Sequence, residues 1–73
     1  MTSAREAYDI TSDARFFCDD EHFDHLVYRE LARRERNGPR RELLERLAEM
    51  ERKHYEFWQS LVPSHKPKFY SLR

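Results

Sequence analysis

The apolar positions of this chain fall at helical spacing over two stretches with a single break between them. In the first, Ile10, Ala14, Phe17, Tyr28 and Ala32 project along one stripe, and Phe16, Phe23, Val27 and Leu31 widen it to an arc of about 200°. In the second, Leu43, Leu44, Leu47, Ala48, Met50, Tyr55, Phe57, Trp58, Leu61 and Val62 take one half of the projection. Glu42, Glu45, Arg46, Glu49, Arg52, Lys53, Glu56, Gln59 and Ser60 take the other. The break is Asn37-Gly38-Pro39, which joins residues favoured just past a helix C-terminus to one favoured in a first helical turn. The pattern predicts an all-α chain, an antiparallel hairpin of two helices. The first is capped by Thr11, Ser12 or Asp13 and runs to about Arg36; the second runs from Pro39 to about Val62, where Pro63 stops it. Residues 1–11 read as an N-terminal extension, 12–62 as the hairpin and 63–73 as a basic, proline-containing tail or linker.

Composition decides whether such a hairpin can stand alone. The chain has 73 residues, of which 38% are apolar and 38% charged, and its mean hydropathy is −1.07. A domain this small hides only about 60% of its unfolded surface, so stability comes from disulfides, a metal or a partner chain. A single cysteine, Cys18, excludes a disulfide framework. The first helix's apolar arc is also wider than one antiparallel neighbour covers. The expected assembly is a homodimer forming a four-helix bundle, or a higher homo-oligomer.

The formal charge is zero, which argues against a nucleic-acid partner. Arginines crowd Arg29 to Arg46, seven of them, but four glutamates interleave at helical spacing, as on an ordinary exposed face. From Asp9 to Asp24 six carboxylates face Arg15 alone, so that end attracts cations. No apolar run approaches the roughly 18 residues of a membrane span, and MTSAREAYDI lacks the apolar stretch of a signal peptide. Together with the unpaired Cys18, this suggests a reducing, cytoplasmic setting.

Two polar residues, Glu51 and His54, interrupt the apolar half of the second helix, and Glu21 interrupts the stripe of the first. Folding about residues 37 and 38 brings Glu21 level with a point between Glu51 and His54. Glu30 lies nearer the hinge and projects outward, so it is not a ligand. Glu51-x-x-His54 places both side chains on one helix face, within reach of a single cation. Unpaired buried carboxylates cost several kcal/mol, and a chain with so little apolar surface has no margin for them. A divalent metal removes the cost. One Glu from one helix plus Glu-x-x-His from the next is half the donor set of a carboxylate-bridged di-metal site in a four-helix bundle, so a second copy supplies the other half. Mixed oxygen and nitrogen donors suit iron, as Fe2+ and Fe3+, or manganese, and less selectively zinc.

Around this set, Tyr28 is placed to hydrogen-bond a ligand carboxylate from outside the metal's own shell, and Asp24 and His25, on the stripe's margins, are candidate additional or transit ligands. Tyr55, Phe57 and Trp58 read as packing residues, Cys18 as an incidental, semi-buried thiol, and His22 and His65 as solvent-facing.

The stretch Leu47-Ala48-Glu49-Met50-Glu51-Arg52-Lys53-His54-Tyr55-Glu56-Phe57-Trp58, with Glu21 and Tyr28 upstream, resembles the ferritin-like superfamily and within it rubrerythrin-like domains. Two short forms are most similar: the cytoplasmic ferritin-like domain preceding the membrane part of some vacuolar-type iron transporters, and the encapsulated ferritins, whose two-helix chains build a ferroxidase centre between subunits. Over residues 12–62 the resemblance implies Glu21, Glu51 and His54 as ligands of a di-iron site and ferroxidase activity serving iron storage, detoxification or transport. It implies as partner an attached membrane iron-transporter domain or an encapsulating protein shell, with the tail Lys68-Phe69-Tyr70-Ser71-Leu72-Arg73 as basic flank or docking extension. The chain departs from full rubrerythrins in carrying one half-site and no Cys-rich electron-transfer module. An alternative reading is a non-catalytic iron-sensing or oligomerisation module, and a third a two-helix interaction module without metal.

Overall fold

The structure is a computed structural model and describes residues 10–67. It consists of two helices, α1 (Thr11–Arg34) and α2 (Gly38–Leu61), each 24 residues and so about 36 Å long. Contacting pairs run in opposite sequence sense: Phe17 meets Trp58, Cys18 meets Gln59, and His25 meets Ala48. The helices are therefore antiparallel. There is no strand among the described residues, and no helix is long and apolar enough to cross a membrane. The terminal segments, including the proposed docking stretch Lys68 to Arg73 and most of the N-terminal extension, lie outside the described residues.

The break sits where the sequence puts it but works differently. α1 ends at Arg34, two residues before the expected Arg36, when Glu35 turns extended while its N–H still reaches the Leu31 and Ala32 carbonyls. Asn37 does not terminate α1. It caps α2, its Oδ1 accepting from Arg40 N at 2.9 Å with Pro39 in the first turn. No described residue has positive φ, so Gly38 serves no left-handed cap. At the other end, the expected side-chain cap at Thr11, Ser12 or Asp13 does not form: the capping position is Ile10, and no side chain bonds the first turn there. Asn37→Ala is expected to cost about 1 kcal/mol and to lower the melting temperature by about 4–8 °C, measurable by circular dichroism.

Close approach of the helices depends on small residues. Ala14, Cys18, Ala32 and Ala48 are buried along the line of contact, joined by Val62 just past α2. A second closure lies at the open end of the hairpin. Gln59 Nε2 donates to the carbonyls of Val62, at 3.2 Å, and His65; its Oε1 accepts from the Cys18 thiol at 3.7 Å; and His65 Nε2 lies 2.9 Å from Asp19 Oδ1. His65 is thus a partner of α1, against the expectation that it faces solvent. Cys18 is fully buried rather than semi-buried, and burial followed by the Asp19 charge pushes its thiol up, which fits an unreactive group.

Much of the apolar arc remains uncovered. Leu43 and Phe57 are each 57% exposed, and Ile10, Phe16, Phe17, Phe23, Leu31, Met50 and Leu61 are exposed as well. Two cylinders touch along one line, which explains why the sequence's apolar halves exceed what one hairpin hides.

Candidate metal centre

Glu21, on the α1 ridge facing α2, and Glu51 and His54, one turn apart on α2, each present a donor atom, and these atoms all lie within 4.8 Å of one another. His54 Nδ1 is 3.7 Å from Glu21 Oε2 and 3.6 Å from Glu51 Oε1. Donors bound to one cation at about 2.1 Å sit about 3 to 3.5 Å apart, so a small inward movement closes the set.

The chemistry of the two acids also fits a cation. The Glu21 carboxyl is raised above its ordinary value by its interaction with the neighbouring Glu51 carboxyl, then by burial and by the Glu51 charge, with His54 opposing. Glu51 is the more deeply placed, with a side chain 13% exposed, and its Oε2 is buried with no hydrogen-bond partner. A buried oxygen with an unused lone pair is costly and conspicuous in a native structure. The His54 side chain is 49% exposed.

The other sequence candidates are distributed around this cluster. Asp24 is half-buried and raised by burial and then by the charges of Asp20 and Glu21, so it adds negative potential beside the site without belonging to the set. His25 turns away: its Nδ1 lies 2.8 Å from the Ala48 carbonyl, to which it donates, and it lines a groove of about 630 Å³ with Arg29, Arg33, Arg41 and Glu45, none of them a cluster member. Tyr28 is half-buried, and its hydroxyl makes no hydrogen bond to the three donors. Glu30 is committed to Arg33 and Arg34, and the hydrogen bond from Arg33 above all brings it down to about 2, in keeping with its exclusion as a ligand. His22 departs from the solvent-facing expectation. It is half-buried with its ring edge-on to Tyr55 at 4.9 Å, a contact that helical projection signals only weakly. Trp58 stacks on Phe17 at 5.0 Å, one helical turn nearer the open end than His54 and Glu21.

No protein-family model, no curated protein and no solved structure matches this chain. The residues and their geometry carry the functional argument.

Proposed function

We propose that the protein is a ferritin-like ferroxidase that takes Fe(II) as substrate at Glu21, Glu51 and His54 and oxidises it with dioxygen at a site completed by a second copy of the chain. The observation that carries this is the buried, partnerless Glu51 Oε2 beside the Glu21 carboxyl and the His54 imidazole, in a hairpin that leaves large apolar side chains uncovered. Three donors from one chain hold an ion weakly; six from two chains provide four carboxylates and two imidazoles, the donor set of a di-iron carboxylate site.

Dioxygen needs an electron from each of two ferrous ions held side by side. The chain's part is to bind, neutralise and bias. Glu21 gives up its proton to the cation, Glu21 and Glu51 together balance its charge, and hard anionic oxygens favour ferric over ferrous iron. His54 supplies the nitrogen donor. Asp13, Asp19, Asp20 and Asp24 lend the approach a negative potential that attracts cations.

Anaerobic Fe(II) titration followed by exposure to air tests the proposal. Two Fe(II) bound per pair of chains and ferric absorbance appearing faster than in protein-free buffer are expected. The same oxidation rate with and without protein would end the ferroxidase reading. Stoichiometric binding at that unaccelerated rate would instead support an iron-sensing module, a second reading that the small number of donors per chain favours.

A further inference from the structure

We infer that the second copy docks antiparallel on α2, through a seam formed by Leu43, Leu47, Met50, His54, Phe57 and Leu61, so that the basic hinge end of each hairpin lies along the acidic end of the other. This rests on the reading that the metal cluster is half of a shared site, and it specifies how the halves meet.

The seam is visible in spacing and exposure together. The six positions step by four and three residues in strict alternation, the a/d repeat with which helices interlock knobs into holes. Leu43, Met50, Phe57 and Leu61 are exposed apolar side chains, His54 is half exposed between them, and Leu47 is half-buried. Such a row is not the one α2 uses against α1, which runs through Ala48, Tyr55 and Gln59.

Self-complementarity identifies the occupant. The seam is centred on residue 52, so an antiparallel copy sets Met50 against the partner's His54, Leu47 against the partner's Phe57 and Leu43 against the partner's Leu61. The single polar residue on the row then falls beside the axis, where one such residue fixes register. Glu51, flanking the seam on the α1 side one residue from its centre, stands about 3 Å along the axis from the level of the partner's Glu51, a juxtaposition that two carboxylates tolerate around shared cations. Charge selects the direction. On α1 the open end carries Asp13, Asp19, Asp20, Glu21 and Asp24 against Arg15, while the hinge half, residues 29–46, carries seven arginines against Glu30, Glu35, Glu42 and Glu45. Parallel docking brings like net charges together; antiparallel docking sets the net-acidic end of one copy along the net-basic half of the other.

Cysteine cross-linking tests this without relying on turnover. In a Cys18→Ser background, Leu43→Cys and Leu61→Cys chains are prepared separately and mixed, then oxidised in chelator and again with Mn(II). Both positions are exposed in the single hairpin, so its own packing is undisturbed. The expected product is the mixed 43–61 disulfide, exceeding either self-linked product by about tenfold. Self-linked 43–43 and 61–61 products in excess would establish parallel docking, and absence of any inter-chain disulfide would dismiss the seam; either overturns the inference. Phe57→Glu gives an independent measurement: sedimentation should show a monomer where the parent is a dimer, and an undiminished dimer counts against the proposal. A 43–61 product from a protein that does not oxidise Fe(II) leaves the docking intact and removes only the ferroxidase.

Discussion

Replacing Glu51 with alanine or glutamine is expected to weaken Fe(II) or Mn(II) binding on the order of a hundredfold or more, since loss of a mere outer partner of a metal ligand already costs 10- to 100-fold. The same change should leave the metal-free protein as stable as the parent or more so, by about 1 kcal/mol, or roughly 4–8 °C in melting temperature. The two signs come from one arrangement. Without a cation, Glu51 keeps a buried oxygen unsatisfied and holds a like-charged neighbour, Glu21, close by. Removing it relieves both penalties, whereas a residue that only served the fold would be missed. The glutamine variant matters because alanine also raises helix propensity by a few tenths of a kcal/mol, while glutamine keeps the shape and lacks the charge. Calorimetric titration reads the first effect and thermal melts in chelator the second. If both variants melt several degrees lower without metal, Glu51 is a structural ion-pair partner of His54, and the metal centre loses its strongest support.

The hairpin and its cluster were legible because both depend on periodicity. Polar residues at apolar phases mark Glu21, Glu51 and His54, and a single break sets the level at which antiparallel helices bring them together. Periodicity assigns a face, however, and does not say what covers it. Leu43, Met50 and Phe57 share a half with Ala48 and Tyr55, yet only the latter two turn toward α1, since a helix neighbour spans far less than a half circle. Chemistry shared by two roles misled at the hinge. Asn is favoured both after a helix and before one, and here its side chain serves the following helix. Least legible was the closure at the open end. His65 meets Asp19 across 46 positions of sequence and from outside either helix, so no local pattern announces it, and the burial of Cys18 beneath Gln59 follows from the same fold-back.

Metal uptake and the stability of the metal-free hairpin should respond to pH with opposite slopes. Glu21 is raised in the folded chain, as is Asp24, so between their unfolded values and the raised ones the native state holds more protons than the unfolded state. Unfolding free energy changes with pH in proportion to protons bound in the unfolded state minus those in the native state, a negative difference here. The stability these groups contribute is therefore fully present below their unfolded values and is lost as pH rises through the folded ones. Metal binding runs the other way, because the cation must displace the proton that the raised Glu21 holds, and affinity climbs by up to about tenfold per pH unit over the same window. Glu21→Gln removes a donor along with its proton, so it should bind metal weakly with a flattened pH dependence, and its chelator-treated form should lose most of the downward slope in stability. Calorimetry in buffers of differing ionisation enthalpy counts the protons released when Mn(II) binds to the parent. Release of none at the acid end of that window would mean that cations bind elsewhere on this hairpin and that the carboxyl pair is a feature of its packing alone.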